Sequence, residues 1–502
     1  MKKIIIVAIV LLTGLGVFAQ PSFIKDSLDN YIKQGMKDWD IPGMSVVIVK
    51  DGKVVYMKGF GVKDIESKSP VDNNTLFMIA SNTKLFTGTA LASLEYKGKL
   101  RLDDKITKFF PGYRLYDNST SDLLTIRDLL SHRIGTKTFQ GDFTYWNSTL
   151  SRKEIMNKMR LMKPVGPFRQ GFGYCNSCFM TAGEIIPVVA GQPWEKYVYD
   201  SIMVPVGMTG SYITSVGIGE RPNVSKPYTT NYTGVLKELP YDNWDNLGPA
   251  ASIISNATDL SKWLLFQLDS GKVNGKQVLP WAVLRETRQI NIPLLSRANA
   301  PTHFMGYGLG VFMKDYYGKM VYYHSGGAGG MISEVAFMPE EKLGLAILTN
   351  NDNHDFLGPL QNQIIDAYLN LPYVNKSQRA LTGFKQDQAT QLAQIAKWEG
   401  RVKSAQKLGA VRKYAGVYEN EMYGNLNIVA QNGILFLKFG GHNNLTATME
   451  YMGDDEWLLK YDDILYGVFS TKFKMENDRV VSVEIKENEY VEEDPYVFMK
   501  KN

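Results

Sequence analysis

A serine and a lysine stand three positions apart at Ser81 and Lys84. On a helix this spacing places the hydroxyl and the amine on one face, within reach of each other. The start of a helix would add the partial positive field of its N-terminus. A serine hydroxyl is a weak nucleophile until an adjacent base takes its proton. The pair therefore predicts attack by Ser81 on an ester or amide carbonyl, with a covalent acyl intermediate.

The same spacing occurs at two other places, at Ser22 and Lys25 and at Ser404 and Lys407. Both of those pairs lie in polar helical stretches, where a solvated helix face explains them. Ser81 differs because an apolar strand near 76–80 runs directly into it and an apolar helix follows to about residue 96. We therefore expect Ser81 at the edge of a hydrophobic core.

Tyr174 and Asn176 form a second candidate element. They follow a loop at 164–173 that contains glycine and proline, and they precede an apolar helix. A tyrosine in such a place can point into a cleft and transfer protons, provided that a cation lowers its pKa. Taken alone, a buried structural tyrosine explains Tyr174 better, since Tyr-x-Asn recurs at many other positions.

A third candidate element is the run of four residues that ends a predicted strand, His324-Ser325-Gly326-Gly327. Small residues let a substrate backbone lie along the strand edge, and a free N–H there can stabilise an oxyanion. A phosphate-binding loop is the competing interpretation. We reject it because no Lys-Ser or Lys-Thr pair follows the glycines.

The chain has few cysteine and histidine residues that could bind a metal or form a disulfide. The chain has two cysteines, Cys175 and Cys178, and one such pair without a nearby histidine cannot build a tetrahedral zinc site. The five histidines show no metal-ligand spacing, so we expect no metal and no other cofactor. A disulfide is possible in an oxidising compartment. We expect instead two small, unbonded residues buried on a helix.

The first 19 residues are typical of a signal peptide. They contain Lys2 and Lys3, an apolar run at 4–12, and small residues before a cut between Ala19 and Gln20. The apolar run is shorter than the roughly 20 residues of a membrane-spanning helix. We therefore expect cleavage near that bond and a mature protein without a membrane span, in the periplasm or outside the cell.

The overall charge argues against two classes of partner. The formal charge is +5, and it is +3 without Lys2 and Lys3. No basic run accompanies this slight excess, so neither nucleic acid nor an anionic membrane surface is an expected partner. Hydrophobic residues make up 44% of the chain and charged residues 21%, as in ordinary folded proteins.

The predicted elements place the candidate residues in a mixed fold. Alternating or apolar runs at 44–50 and 53–60 flank Asp51-Gly52, a strong hairpin signal. Helical patterns fill the middle of the chain. Further strands are predicted at about 307–313, 319–325, 332–338 and 343–349, followed by a helix to about residue 371. The two strand groups can form one antiparallel sheet only if the ends of this region come together.

The last quarter of the chain has a different character. Residues 374–410 are rich in Lys, Gln and Ala, as expected of a linker helix on a surface. From Tyr414 onward, short alternating strands with turn signals predict a small all-β barrel or sandwich. Its aromatic residues could line a site for an apolar ligand, but we expect them to fill a core: Phe436, Phe439, Trp457 and Tyr466.

The three elements, taken in this order, resemble the penicillin-recognising serine hydrolases, which include class C β-lactamases, DD-peptidases and related esterases and aminopeptidases. Ser-x-x-Lys is a signature of that family. The resemblance covers roughly residues 25–370, and the remainder is similar to the lipocalin-like β domain appended to some members. It implies an α+β fold, with a signal peptide at 1–19, a β-lactamase-like domain at 20–372, a helical linker at 373–412 and an all-β domain at 413–502. Further landmarks are Gly43 to Val49, Phe77 to Ala80, Gly98 to Leu100, Leu129 to His132, Pro205 to Met208 and Tyr307 to Gly310.

The resemblance also implies roles for the candidate residues. Ser81 would be the nucleophile and Lys84 the amine that helps to activate it. Tyr174 would be a general base and then the acid for the leaving group, while Asn176 would hold the acyl amide of the substrate. The N–H groups of Ser81 and Gly327 would bind the oxyanion. Whether Lys84 or Tyr174 takes the serine proton stays open at this point.

One departure from the family bears on the substrate. Members that recognise penicillin usually carry lysine at the position of His324, and a permanent cation suits substrates that end in a carboxylate. Histidine titrates near 6.5, so we expect esters or peptides without that carboxylate to be favoured over β-lactams. Cys175 stands where a small Ser or Ala is common, and we have no functional account of it.

Two alternatives compete with this interpretation. An α/β-hydrolase would need Gly-x-Ser-x-Gly, but Val47 replaces the second glycine after Gly43 and Ser45. A binding protein could keep the fold and form only a stable adduct, although the complete set of candidate residues favours catalysis. The expected partner is a small-molecule ester, peptide or β-lactam, and the sequence leaves a homo-oligomer open.

Overall fold

The structure is a computed structural model that describes residues 20–296, 301–404 and 411–501. The predicted signal peptide therefore lies outside the described residues, as does Lys407. The strands are β1 (Gly43–Lys50), β2 (Lys53–Gly61), β3 (Phe77–Met78), β4 (Tyr228–Thr229), β5 (Lys237–Glu238), β6 (Ile254–Ser255), β7 (Lys272–Val273), β8 (Lys276–Gln277), β9 (Ile292–Ser296), β10 (Phe304–Tyr307), β11 (Phe312–Tyr316), β12 (Lys319–Ala328), β13 (Met331–Met338), β14 (Leu343–Thr349), β15 (Gly416–Asn420), β16 (Gly424–Gln431), β17 (Ile434–Phe439), β18 (Thr446–Gly453), β19 (Glu456–Tyr461), β20 (Val468–Glu476), β21 (Arg479–Ile485) and β22 (Tyr496–Lys500).

The helices lie mainly between the two strand groups of the first domain. They are α1 (Leu28–Asp38), α2 (Thr83–Tyr96), α3 (Ile106–Phe109), α4 (Asn118–Leu123), α5 (Ile126–Leu130), α6 (Asp142–Tyr145), α7 (Arg152–Lys158), α8 (Asn176–Gly183), α9 (Ile185–Ala190), α10 (Trp194–Val198), α11 (Val204–Val206), α12 (Gly248–Ala251), α13 (Ala257–Leu268), α14 (Trp281–Thr287), α15 (Leu357–Tyr368) and α16 (Lys376–Ser404).

One antiparallel sheet forms the centre of the first domain, in the order β2-β1-β14-β13-β12-β11-β10-β9. The two ends of the region do come together, because β1 pairs with β14 from Met44 opposite Thr349 to Lys50 opposite Leu343. Strand β1 is apolar on both faces, and each face is buried in a different core. Helices α2 and α13 cover one face, while α1 and α15 cover the other. The predicted α+β class is confirmed.

The strand predicted at 307–313 is wrong in one respect, since the structure divides it between β10 and β11. The break is a turn at 308–311 that packs against the helix bearing Lys84. A Cβ at Gly310 would lie 2.3 Å from the carbonyl oxygen of Lys84, and the φ of Gly310 is 85°. Any side chain at position 310 would clash with that carbonyl oxygen, and the positive φ disfavours every residue other than glycine. Glycine is therefore required here.

A closed barrel of β15 to β22 forms the C-terminal domain. Its interior is filled by aromatic rings, among them Trp457, whose ring centroid is 5.0 Å from that of Tyr414 and 5.7 Å from that of Phe473. The filled interior supports the core interpretation over an apolar ligand site. Phe436 is the exception: it is 43% exposed, because strand alternation turns it outward between the buried Leu435 and Leu437.

Helix α16 occupies the predicted linker and joins the barrel through a small apolar cluster. Ile395 of α16 belongs to that cluster with Met452, Leu458 and Val468 of the barrel. Among the residues that the structure describes, no helix is both long and apolar enough to cross a membrane.

Candidate active site

Ser81 lies in a single 3-10 turn, Ala80–Asn82, that joins β3 to α2. The turn begins with Ala80 at a φ of 48°, a left-handed conformation that costs a non-glycine residue about 1–2 kcal/mol. Side-chain contacts hold the turn against β13: Asn82 Nδ2 donates to Ser333 Oγ at 2.9 Å, and Ser333 Oγ donates to the Ile79 carbonyl at 2.8 Å. The serine is thus fixed at the start of a buried helix, and it remains partly exposed.

Lys84 is fully buried one helical turn after Ser81. Its Nζ lies 3.0 Å from Ser81 Oγ, 2.6 Å from Asn176 Oδ1 and 3.0 Å from the carbonyl oxygen of Ala250. Burial lowers the pKa of Lys84 well below its ordinary value, and the charge of Asp142 opposes that shift only in part. The amine is therefore favoured in its neutral form, which can accept a proton.

Asp142 fixes the orientation of the Asn176 amide. Asn176 Nδ2 donates to Asp142 Oδ2 at 2.6 Å, which leaves Asn176 Oδ1 directed at Lys84. Burial raises the pKa of Asp142 well above its ordinary value, more strongly than the Asn176 hydrogen bond lowers it. The other oxygen of this carboxyl, Oδ1, is buried and has no partner among the described residues. Sequence patterns gave no indication of this aspartate.

Tyr174 lies beside Ser81 and Lys84. Its ring stacks on that of His132, with centroids 4.2 Å apart, and Lys84 Nζ lies 4.6 Å from its centroid. Burial raises the pKa of Tyr174, and Ser81 opposes that shift only in part. The condition that a cation lowers this pKa is therefore not met, and the phenol stays protonated at neutral pH.

The two cysteines are joined by a disulfide between Cys175 and Cys178, so the expectation of two unbonded residues is wrong. Cys175 precedes α8 rather than lying inside it, and its side chain folds back over the first turn, where Sγ accepts from the N–H of Cys178. The backbone N–H of Cys175 donates to Nδ1 of His132 at 2.9 Å. The bridge thus closes a loop of four residues that contains Asn176 and begins directly after Tyr174.

His324 is buried and uncharged. Its Nδ1 lies 2.5 Å from the carbonyl oxygen of Ser325, so Nδ1 carries the proton, and Nε2 accepts from the hydroxyl of Tyr307 at 3.0 Å. Burial is the largest cause of the lowered pKa of His324, which falls to about 3. The expectation of titration near 6.5 is therefore wrong, and the side chain presents no cation at neutral pH.

The residues after His324 form a free strand edge. Strand β12 pairs with β11 only as far as Tyr323, so the edge away from β13 is open from His324 onward. A Cβ at Gly326 would lie 2.0 Å from the carbonyl oxygen of Ile79, and one at Gly327 would lie 2.6 Å from the hydroxyl of Tyr490. Both glycines are therefore needed for close packing, on opposite faces of the strand.

The C-terminal barrel contributes to this site through Glu492. Glu492 accepts from the N–H of Gly141 at 2.8 Å and from the N–H of Phe143 at 3.1 Å, and these two residues flank Asp142. Burial raises the pKa of Glu492 to about 7, while the two backbone bonds oppose that shift. No local pattern could reveal such a contact, because the two segments are remote in the chain.

The predicted site residues therefore lie close together. Lys84 is hydrogen-bonded to Ser81 and Asn176, and its Nζ lies 4.6 Å from the ring centroid of Tyr174. The rings of Tyr174 and His324 have centroids 6.1 Å apart. Within 20–296, 301–404 and 411–501, no cluster of three or more His, Cys, Asp or Glu side chains is arranged to hold a metal ion.

Comparisons with known proteins agree with this architecture. The sequence model of the family described as Beta-lactamase matches residues 28–369, and that of a domain of unknown function, DUF3471, matches 401–500. A solved structure, the octameric penicillin-binding protein homologue from Pyrococcus abyssi, has a TM-score of 0.62 and 21% identity, covering 94% of this chain and 99% of its own.

Two curated relatives are similar over the first domain. Protein flp of Staphylococcus aureus is 27% identical over 330 residues, which are 65% of this chain and 63% of the relative. Unguisins hydrolase ungD' of Aspergillus campestris is 28% identical over 342 residues, which are 63% of this chain and 60% of the relative. The chain thus spans less than two thirds of the length of either. The family match covers more than half of the chain, and the protein belongs to the beta-lactamase family.

Proposed function

We propose that this protein is a serine hydrolase that cleaves esters or amides through an acyl-enzyme on Ser81. The observation that carries the proposal is the position of the Lys84 amine, 3.0 Å from Ser81 Oγ and buried. The family match and the relative described as a hydrolase of unguisins support hydrolysis in general.

The surroundings of Lys84 favour it over Tyr174 as the base that takes the serine proton. Asn176 Oδ1 and the Ala250 carbonyl can only accept hydrogen bonds, so both N–H groups of a neutral amine go to them. The lone pair of that amine is then left for the Ser81 hydroxyl. Tyr174, whose pKa burial raises, is protonated and cannot act first as a base.

The reaction proceeds in balanced steps. Ser81 Oγ bonds to the carbonyl carbon while its proton moves to Lys84, and the N–H groups of Ser81 and Gly327 bind the resulting oxyanion. Each such donor is worth about 3 kcal/mol in the transition state. The bond to the leaving group then breaks, and the phenol of Tyr174 protonates that group and regains its proton from Lys84. Water cleaves the acyl-enzyme by the same steps in reverse.

The uncharged His324 indicates the class of substrate. Without a cation at this position, nothing in the residue itself favours a substrate carboxylate, so esters or peptides without that group are preferred over β-lactams. Export with cleavage near Ala19 also belongs to this proposal, on the basis of the N-terminal sequence. The octameric state of the Pyrococcus abyssi homologue supports a homo-oligomer.

The test combines two substrates with one variant. Purified protein and Ser81→Ala are mixed with p-nitrophenyl acetate and with nitrocefin, and intact mass is recorded during turnover. We expect ester turnover and an acyl adduct in the unmodified protein, and neither in Ser81→Ala. If nitrocefin were hydrolysed faster than the ester at pH 7.5, the protein would be a β-lactamase. The inference that an uncharged His324 favours substrates without a carboxylate would then be wrong.

A binding protein that keeps the fold is the alternative from another class. It would give a single stoichiometric burst with a stable adduct, or no reaction with either substrate. Sustained turnover of the ester excludes that alternative.

A further inference from the structure

A pocket of about 370 Å³ lies against the strand that carries the predicted oxyanion donor. It has one wall in common with the candidate active site, the segment 325–327 of β12. Other walls come from β13, from the start of α15 and from the barrel. The residues that line the pocket include Ser325, Gly327, Glu334, His354, Asp355 and Tyr490.

The charged side chains that line this pocket are both acidic. Glu334 and Asp355 contribute carboxyl groups, and no lysine or arginine is among the lining residues. Burial lowers the pKa of His354 to about 3, so its imidazole is neutral. The pocket therefore contains no cation of its own among the described residues, and its two carboxyl groups can serve as the counterion of a cationic ligand.

Glu334 has the feature expected of a ligand-binding group. It lies opposite Ser325 in the register of β12 and β13, is only 7% exposed, and makes no hydrogen bond or ion pair within the described part of the chain. Burial raises its pKa to about 8, and the charge of Lys314 opposes that shift only in part. A buried carboxyl without a partner is costly, and a bound cation would supply that partner.

Tyr490 of the barrel lines the pocket beside Gly327. Its hydroxyl occupies the place where a side chain at Gly327 would stand. Asp352 and Asp355 both act on this hydroxyl and add to the effect of burial, which raises the pKa of Tyr490. The phenol is therefore a neutral donor or acceptor beside two acids.

We propose that this pocket binds a protonated amine of the substrate, with Glu334 as its counterion. The proposal rests on the function proposed above and narrows it to esters or amides that carry an ammonium group. Gly326 and Gly327 line the pocket and belong to the free edge of β12, so this strand is a wall that the candidate active site and the pocket share. A substrate that lies along the free edge of β12 extends its amine past Gly327 to Glu334.

The first test measures binding without requiring any reaction. Butylammonium and butanol are titrated into the full chain by calorimetry at pH 7.5. The variant is Glu334→Gln, and the matched control is Glu340→Gln, at an exposed acid in the turn between β13 and β14. We expect the unmodified protein and Glu340→Gln to bind the ammonium at least about tenfold better than the alcohol. Glu334→Gln should lose that difference. Equal binding of the two probes, or a preference that survives Glu334→Gln, would overturn the proposal.

The second test uses matched esters that place the amine on either side of the scissile bond. Hexanoate and 6-aminohexanoate esters of p-nitrophenol vary the acyl group, and hexyl and 6-aminohexyl acetates vary the leaving group; acid release is measured for all four. We expect one pair to show a preference of about tenfold or more in kcat/KM for the amine, lost in Glu334→Gln but not in Glu340→Gln.

The outcomes distinguish failure of the amine-pocket proposal from failure of the serine hydrolase proposal. Turnover of all four esters at equal kcat/KM would overturn the amine pocket and leave the serine hydrolase intact. If no ester reacts and no acyl adduct forms, the hydrolase proposal fails, and the calorimetric result alone decides whether the pocket binds ammonium groups.

Discussion

The chain contains the same Ser-x-x-Lys spacing in two described settings that differ in almost every other respect. Ser22 and Lys25 are exposed, at a π turn before α1. Lys84 is fully buried, and its amine lies against Ser81 and two further acceptors. Spacing alone brings a hydroxyl near an amine; burial lowers the pKa of that amine, and acceptor-only neighbours direct its lone pair to the serine.

The largest expected effect comes from removing the amine in each setting. Lys84→Met keeps the length of the side chain and removes the base, so kcat/KM for p-nitrophenyl acetate should fall by about 10²- to 10⁴-fold. Lys25→Met should leave kcat/KM unchanged. Because Met avoids the cost of burying an amine, the thermal unfolding midpoint of Lys84→Met should equal or exceed that of the unmodified protein.

Two results would contradict this comparison. Activity of Lys84→Met within tenfold of the unmodified protein, in a variant that unfolds normally, would show that another group takes the serine proton. A comparable loss of kcat/KM in Lys25→Met would show that the exposed pair of Ser22 and Lys25 contributes to activity.

A smaller effect is expected at Asp142, which orients the amide of Asn176. If burial keeps this carboxyl protonated, Asp142→Asn preserves an oxygen acceptor without changing the charge, and kcat/KM should stay within about threefold. Asp142→Ala leaves Asn176 Nδ2 without its partner and lets the amide turn its NH₂ toward Lys84, so a loss of about tenfold is expected.

Steady-state kinetics of the two Asp142 variants at pH 7 provide the measurement. A large loss in Asp142→Asn, similar to that in Asp142→Ala, would mean that an ionised carboxylate is required at this position.

The smallest effect is expected in the pH profile, where a buried and an exposed histidine can be compared. The pKa of His324 is lowered to about 3, so its imidazole is neutral at every pH above about 4 and contributes no step near 6.5. His324→Gln should therefore leave the shape of the kcat/KM profile between pH 5 and 8 unchanged for a neutral ester. His303→Gln, at a side chain that is 49% exposed, is the control. A step near pH 6.5 that disappears only in His324→Gln would show that this imidazole does titrate there.

Much of the fold could be predicted from hydrophobic patterns, because strands such as β13 and β14 are uninterrupted and buried. The split between β10 and β11 was missed because the turn at 308–311 depends on packing against the carbonyl of Lys84, a contact that no local pattern records. Strand β9 was missed as well. The α+β class and the barrel were predicted, and so were the bounds of β14, at residues 343–349.

The candidate site also contains some residues that the sequence could indicate and others that it could not. Ser81, Lys84 and Tyr174 stand in short local patterns, so sequence alone could propose them. The hydrogen bonds of Asp142 and Glu492 join segments that are remote in the chain, and only the fold brings them together. The disulfide was misjudged because Cys-x-x-Cys allows either state, and the decisive fact is that Cys175 precedes the helix.

The pairing of β1 with β14 also has a consequence for the time course of synthesis. Met44 cannot meet Thr349 until the intervening chain of about 300 residues has been made, which takes roughly 15 to 60 s at ordinary rates of translation. During that interval β1 has two apolar faces and one strand edge without its final partner. The nascent chain therefore carries an aggregation-prone segment from its first 50 residues until the sheet closes, and a chaperone that binds this hairpin would raise the yield of folded protein.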